Sequence, residues 1–358
     1  MTADRTTTIP DSTDALTADW LTAALRSSGV VHDAAATKVG TAPLGTGQMS
    51  DSVRVTVAYD GPTDAPSTLV AKLPSSDPGT RASALSLRNY EKEVRFYQSL
   101  APALGVRTPV VYYAALAEVP DRFVLLLEDL APAEQGDQLA GCRVDIAETA
   151  IAELVGLHAP RWADPSLEGL DWLDDTTRSE GAGPLLAMLW SAFTDRYDER
   201  LTPEIVEAGS QLFAHIDGLI TPRGPRTLVH GDFRLDNLLI DPSGSPITVV
   251  DWQTTALGSA PYDVAYFIGA GLAADDRRTH EERLARDYHD RLVDAGVRDY
   301  AWDDCWDAYR RGAFTGLLMA VGASIIVERT ERGDDMFLTM AERHAHQVLD
   351  LDAVTALA

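Results

Sequence analysis

The sequence predicts an α+β protein built from two unequal lobes. The chain has 358 residues, which is more than one small hydrophobic core accommodates. Its first third carries short β-branched segments separated by turn residues, whereas the remainder has apolar residues mostly at helical spacing. We therefore expect a small β-rich lobe, a larger helical lobe and a cleft between them.

The first lobe is predicted over residues 13–130, after a disordered tail at 1–12. Apolar residues at helical spacing predict helices over 13–29 and 84–100, the second preceded by a polar loop at 75–83. Runs of β-branched and aromatic residues predict a small sheet. Its strands are expected at 41–44, 52–59, 68–73, 110–115 and 123–128.

The second lobe is predicted over residues 131–358. It opens with Ala-Pro-Ala-Glu-Gln-Gly-Asp at 131–137, a composition typical of a linker or hinge. Most of the remaining chain is predicted to be helical, interrupted by two short strands in the segment around residues 229–253. The helices are expected at 143–159, 184–198, 203–219, 262–272, 279–295, 302–328 and 335–356.

The most informative motif is VHGDFRLDNLLID at 229–241, followed by TVVDWQ at 248–253. Asp232 and Asn237 lie five residues apart on one predicted loop, and Asp251 ends a β-branched strand. A hairpin turn between the strands would bring the three side chains together, and convergent oxygen ligands are typical of a Mg²⁺ site. Alternatively, Asp232 and Asn237 form turns and Asp251 ends a strand, but the adjoining His-Gly pair and the buried strand favour a kinase.

Phosphoryl transfer requires neutralised phosphates, an oriented hydroxyl and a proton acceptor. Asp232 is the candidate acceptor, and Asn237 and Asp251 are the candidate metal ligands. Arg234 either reaches the transferring phosphate or is a solvated loop residue. Asp263, in the first turn of a predicted helix, is interpreted as a brace for this loop.

The first lobe contributes the candidate nucleotide-binding residues. Lys72 lies in an apolar strand, where a buried ammonium requires a partner, and Glu93 on the next helix is the candidate. The alternative is a solvent-facing lysine on an edge strand. Gly45 and Gly47 lie between two strands, where backbone N–H groups can cover phosphates, although any hairpin can carry two glycines. Backbone groups at Glu128–Leu130 are candidates for binding adenine.

HGDFRLDN, VVDWQ, the strand VAK and the helix EVRFY together resemble the aminoglycoside phosphotransferase and choline-kinase-like superfamily, most closely its ecdysteroid-kinase-like branch. The resemblance implies a protein-kinase-like bilobal fold with ATP and Mg²⁺. It also implies Asp232 as base, Asn237 and Asp251 as metal ligands, and Lys72 with Glu93 as a phosphate clamp. No activation segment follows DWQ, which favours a small-molecule kinase over a protein kinase.

The composition limits the classes of molecule that the protein is expected to bind. A net charge of −25 disfavours nucleic acid and anionic membranes, and either favours a cationic substrate or only maintains solubility. The longest apolar run, 316–327, is too short for membrane insertion, and two cysteines with no leader pattern predict a cytoplasmic protein. The expected partner is a small-molecule alcohol: an aminoglycoside, steroid, lipid, acyl thioester or other natural product. The alternative is a nucleotide-binding module without turnover.

Overall fold

The computed structural model describes residues 8–44, 49–173, 182–327 and 329–358. The chain folds into two compact units. The first comprises the residues up to Pro102 together with Thr108–Ala131, and the second comprises Ala103–Arg107 and Pro132–Ala358.

The first unit is built on a five-stranded antiparallel sheet of order β1-β2-β3-β5-β4. Helix α1 (Ala18–Ser27) buries Leu21 and Leu25 in a core that also contains Val55 and Leu126 from the strands. The strands are β1 (Ala36–Pro43), β2 (Ser50–Tyr59), β3 (Thr68–Pro74), β4 (Val111–Leu116) and β5 (Phe123–Glu128).

The polar loop predicted at 75–83 is wrong, because helix α2 (Pro78–Ser86) forms there. The Asp77 side chain caps this helix by accepting a hydrogen bond from the Thr80 backbone N–H at 2.7 Å, and proline is favourable in the first turn. The continuous helix predicted over 84–100 is also wrong. Arg88 adopts a left-handed backbone conformation and separates α2 from α3 (Asn89–Arg95), which continues as a π-helical turn.

The second unit is mainly helical, as predicted. The predicted segment 203–219 is divided in two at His215, and the last helix begins and ends earlier than expected. The helices are α4 (Val144–His158), α5 (Gly183–Tyr197), α6 (Pro203–Ala214), α7 (Ile216–Ile220), α8 (Pro261–Gly271), α9 (Ala274–Asp294), α10 (Trp302–Ile326) and α11 (Glu331–Asp350). The fold class predicted from the sequence is therefore confirmed.

Two small sheets lie among these helices, and their strands are β6 (Glu134–Gln135), β7 (Thr227–Val229), β8 (Leu238–Ile240), β9 (Ile247–Val249) and β10 (Ala256–Gly258). One sheet has the order β6-β8-β9, and the other pairs β7 with β10. The linker predicted at 131–137 is wrong in part, because its residues Glu134 and Gln135 pair with Ile240 and Leu239.

Helices α8, α10 and α11 pack closely where two glycines remove side chains. A Cβ atom on Gly316 of α10 would lie 1.8 Å from the His344 Nε2 atom, and one on Gly269 of α8 would lie 2.0 Å from the Gln347 Oε1 atom. The imidazole of His344 is fully buried and stacks on the ring of Tyr266, with 5.5 Å between ring centroids. The two glycines therefore make room for the ring that supports Tyr266.

Among the residues that the structure describes, no helix is both long and apolar enough to span a bilayer. The cytoplasmic location stays a prediction.

Substituting alanine for Gly316 is expected to destabilise the protein by about 2–3 kcal/mol, because the new methyl overpacks a closed space beside His344. Gly322→Ala on the same helix is the matched control. A Cβ atom there meets nothing within 4 Å, and alanine should stabilise α10 by about 0.5–1 kcal/mol. Urea unfolding measures both variants, and equal effects of the two would contradict this packing.

Lowering the pH should destabilise the protein partly through His344. Burial lowers the pKa of this imidazole to about 4 from its ordinary value near 6.5, so between these values the unfolded chain binds a proton that the folded chain does not. Stability should therefore rise with pH across this window, and His344 should contribute a loss of about 2 kcal/mol on moving from pH 7 to pH 5. Urea unfolding of His344→Gln should show a shallower pH dependence than that of the unmodified protein, and an equally steep dependence would contradict this assignment.

Candidate active site

The motif residues Asp232 and Asn237 lie on the loop that joins β7 to β8. The β8–β9 hairpin then brings the chain back beside this loop, since the Val250 N–H donates to the Asn237 backbone oxygen at 3.0 Å. Asp251 comes directly after Val250 and has a left-handed backbone conformation, with φ of 66°. The structure thus brings the loop and the end of β9 together, as the spacing predicts.

Three donors orient the Asp232 carboxylate. The Tyr266 hydroxyl donates to Oδ1 at 2.6 Å, whereas Arg234 Nε and Asn237 Nδ2 donate to Oδ2 at 3.1 and 3.0 Å. Burial and the neighbouring charge of Asp232 raise the pKa of Tyr266 well above its ordinary value, so its hydroxyl keeps its proton. The Asp232 side chain is 14% exposed, so solvent still reaches it.

Arg234 is not a solvated loop residue. Its side chain is 13% exposed and lies between two carboxylates, with Nη1 donating to Asp236 Oδ2 at 2.6 Å and Nε donating to Asp232. Burial by itself lowers the pKa of the guanidinium, but the charges of Asp232 and Asp236 more than offset it, and the net pKa is raised. Arg234 therefore remains cationic and offsets the charge of the two carboxylates.

The amide nitrogen of Asn237 is used within the loop, donating to both the backbone oxygen and the carboxylate of Asp232. Its carbonyl oxygen is consequently the end suited to a metal ion. The Asp251 Oδ2 atom accepts a hydrogen bond from Gln253 Nε2 at 3.1 Å. One carboxylate and one amide oxygen make a hard-oxygen donor set, which suits Mg²⁺ when phosphate oxygens and water complete the coordination.

Both ring nitrogens of His230 are engaged by the backbone. Nδ1 accepts from the Asp232 N–H at 3.2 Å, so Nε2 must carry the proton that it donates to the Val250 carbonyl at 3.0 Å. His230 is fully buried. The ring therefore joins the loop to β9 and has no nitrogen left to act as a base.

Asp263, in the first turn of α8, anchors the start of the loop. Its carboxylate accepts from the backbone N–H groups of His230 and Gly231 at 2.7 and 3.0 Å, which confirms the predicted brace. The Nε2 atom of His158, on α4, lies 3.2 Å from the Asp263 Oδ2 atom, and the Nδ1 atom of the same ring contacts the Tyr288 hydroxyl. Burial favours a raised pKa for Asp263, but the His158 contact and the backbone donors lower it on balance, so the carboxylate stays ionised.

Gln138 holds the middle of the loop and was not predicted. It is fully buried, its Oε1 atom accepts from the Leu235 N–H at 2.9 Å, and its Nε2 atom donates to the Ala270 carbonyl of α8 at 2.9 Å. Its own N–H donates to Asp236 Oδ1 at 3.0 Å. No signal in the sequence distinguishes this residue, because it comes after a stretch with linker composition.

In the first unit, Lys72 and Glu93 form a buried ion pair, with 2.7 Å between Nζ and Oε1. Lys72 lies on β3, which is flanked by β2 and β5 in the sheet, so the alternative of a solvent-facing lysine on an edge strand is wrong. Glu91 points elsewhere and pairs with Arg88 and Arg95.

The other nucleotide-binding candidates are placed in part. Gly45 and Gly47 lie outside the described residues. Glu128 ends β5, where its N–H donates to the Val110 carbonyl at 2.8 Å and its carboxylate accepts from the Val110 N–H at 3.1 Å. Leu130 follows Asp129, which pairs with Arg54 through two hydrogen bonds. The roles of Glu128 and Leu130 stay predictions.

Residues 42–311 match the model of a family described as the phosphotransferase enzyme family. A solved structure of a putative aminoglycoside phosphotransferase from Ralstonia eutropha JMP134 is 16% identical and superposes with a TM-score of 0.52. The alignment covers 87% of this chain and 93% of that one. At this identity the likeness concerns the fold, and it agrees with the bilobal fold that the resemblance implies. The ecdysteroid-kinase-like branch stays a prediction.

Two curated proteins share short segments with the chain. Mouse acyl-CoA dehydrogenase family member 10 is 53% identical over 47 residues, which are 13% of this chain and 4% of that protein. The probable acyl-CoA dehydrogenase IBR3 of Arabidopsis thaliana is 50% identical over 40 residues, 11% of this chain and 5% of that protein. The chain thus spans only about a twentieth of these relatives.

Replacing Gln138 with alanine is expected to cost about 1–3 kcal/mol, because the buried Leu235 N–H loses the acceptor that Gln138 provides, whereas the Ala270 carbonyl still accepts from Arg343 Nη1 at 2.6 Å. Gln135→Ala is the matched control: Gln135 is exposed and its side chain donates to the Asp236 carbonyl at a partly buried site, which water reaches more easily. Chemical denaturation of the two variants provides the comparison. A loss at Gln138 no larger than that at Gln135 would show that Gln138 does not hold the loop.

Proposed function

Because the chain belongs to the phosphotransferase enzyme family, we propose that it is a small-molecule kinase that transfers the γ-phosphate of ATP to an alcohol with the help of Mg²⁺. The observation that carries this proposal is the Asp232 carboxylate, which three donors hold in one orientation while it stays in contact with solvent. An oriented carboxylate is what an acceptor hydroxyl needs as a hydrogen-bond partner.

In the proposed reaction the acceptor oxygen forms a bond to the γ-phosphorus, and the bond from that phosphorus to the β–γ bridging oxygen breaks. Asp232 orients the hydroxyl and receives its proton, and ADP leaves. Arg234 lies beside Asp232 and supplies positive charge near the transferring group. Since Asp236 shares Arg234, the guanidinium is held in place and does not simply neutralise the base.

Asn237 and Asp251 are the proposed metal ligands. Bound Mg²⁺ would neutralise phosphate charge as the transferring group develops it. Among the described residues no cluster of three or more His, Cys, Asp or Glu side chains is arranged to hold a metal ion. A magnesium site that takes most of its ligands from phosphates and water needs no such cluster.

The paired Lys72 and Glu93 support a role in holding the α- and β-phosphates, because a lysine fixed by a carboxylate presents its ammonium in one direction. Gly45 and Gly47 are proposed to contribute backbone N–H groups to the phosphates, and the backbone of Glu128–Leu130 is proposed to bind adenine. The alternative of a nucleotide-binding module without turnover is disfavoured because the chain has every proposed clamp, base and metal-binding residue. These are Lys72, Glu93, Asp232, Asn237 and Asp251.

The acceptor is proposed to be an alcohol, and its class is the open part of the proposal. The Ralstonia protein is called a putative aminoglycoside phosphotransferase, and the two curated relatives are called acyl-CoA dehydrogenases. Aminoglycosides and hydroxyacyl thioesters are therefore the first acceptors to test, before hydroxysteroids and choline-like alcohols.

The test is incubation of the protein with Mg-ATP and a library of these alcohols, with mass spectrometry to detect one added phosphoryl group. Asp232→Asn should lower kcat by about 10²–10⁴-fold while Mg-ATP still binds, because the base is lost but the nucleotide site is intact. Asp241→Asn, a carboxylate on the neighbouring hairpin turn, is the matched control and should retain activity. Equal activity of Asp232→Asn and the unmodified protein, or failure of the protein to bind Mg-ATP, would refute the proposal.

A further inference from the structure

Helix α10 buries two polar side chains for which the described residues provide no hydrogen-bond partner. Arg311 is 4% exposed and Thr315, one turn later on the same side of the helix, is 3% exposed. Among the residues that the structure describes, none bonds to the Arg311 Nε and Nη1 atoms or to the Thr315 hydroxyl. One carboxylate oxygen, Asp307 Oδ2, lies 3.8 Å from Arg311 Nε, which is beyond hydrogen-bond distance.

Two other arginines in the interior of this unit are paired directly. Arg277 bonds to Glu281 at 2.6 Å and also to Asp350, and Arg234 bonds to Asp232 and Asp236. Burying a guanidinium without such partners costs far more free energy than burying a neutral group. Asp307 compensates only partly, because its side chain is 53% exposed and its charge is screened by water. Arg311 therefore lacks a compensating group that the fold provides elsewhere.

The chemistry of these atoms defines what is missing. The two unpartnered nitrogens of Arg311 carry three N–H bonds, and these and the Thr315 hydroxyl can all donate, so the complementary group is an acceptor. The charge of Arg311 requires that this acceptor be negative. We propose that Arg311 and Thr315 form a binding site for a small oxyanion, a carboxylate or phosphate group that is either free or part of a larger molecule. A bound water would satisfy the hydrogen bonds but not the charge.

This site uses none of the proposed phosphoryl-transfer residues. Gly312, the residue after Arg311, packs against Tyr262 and Ala265 of α8, with 2.8 Å from an added Cβ atom to the Tyr262 Cα atom. Arg311 and Thr315 belong to α10, whereas the proposed base and metal ligands belong to the β7–β8 loop and the end of β9. The oxyanion site therefore stands whether or not the kinase proposal holds.

The test is thermal unfolding of the full chain at constant ionic strength, with increasing inorganic phosphate in one series and acetate in another. At least one anion should raise the Tm of the unmodified protein by about 2–4 °C at saturation, because ligands that bind only the folded state stabilise it. Arg311→Met and Thr315→Val should lose most of that shift. Without either anion, Arg311→Met should be at least as stable as the unmodified protein, because it removes an uncompensated buried charge.

Two control variants show whether the anion that raises the Tm binds at Arg311 or elsewhere. Arg283→Met removes an exposed arginine that pairs with Asp287 one turn away, and it should keep the full anion shift. Lys72→Met disables the proposed phosphate clamp and should also keep it. A shift that Lys72→Met abolishes and Arg311→Met retains would assign the anion to the nucleotide site and overturn the proposal. The proposal would also be overturned if neither anion raised the Tm and Arg311→Met had a lower Tm than the unmodified protein in anion-free buffer. Arg311 would then have a purely structural role.

Discussion

The carboxylate of Asp263 holds the loop on which the proposed chemistry depends. It accepts hydrogen bonds from two consecutive backbone N–H groups, those of His230 and Gly231, and is itself only 3% exposed. An unpaired buried carboxylate and two unpaired N–H groups would each cost free energy, so the loop and the first turn of α8 stabilise one another. Asp232 follows Gly231 directly, and its position is therefore set by α8.

The same helix also orients the side chain of Asp232. Tyr266 lies three residues after Asp263 and hence on the same side of α8, so one rigid element anchors the loop backbone and donates to its carboxylate. The stack of Tyr266 on His344, in the space left by Gly269 and Gly316, fixes the direction of the hydroxyl. The packing of α8, α10 and α11 thus affects the orientation of the Asp232 carboxylate through the ring of Tyr266.

The sequence predicted a secondary-structure element correctly where the residues that determine the element are neighbours in the chain. Strand β5 was predicted with its observed ends, because its β-branched and apolar residues are bounded by turn residues. The predictions failed where a single contact reverses the local tendency. Asp77 caps a helix in a stretch with loop composition, and Gln135 pairs with β8 in a stretch with linker composition. A cap and a distant strand partner do not appear in the average properties of a sequence window.

The sequence by itself determined the fold class and the spacing of Asp232, Asn237 and Asp251, because periodicity and short motifs are properties of neighbouring residues. Only the tertiary structure decided which groups contact those residues. Tyr266 lies 34 residues from Asp232, and Gln138 lies 98 residues from Asp236. Such partners meet through helix packing. The sequence around Tyr266 or Gln138 does not distinguish either residue from another buried tyrosine or glutamine. The physical reason is that hydrogen bonds depend on distance in space, which a one-dimensional pattern does not contain.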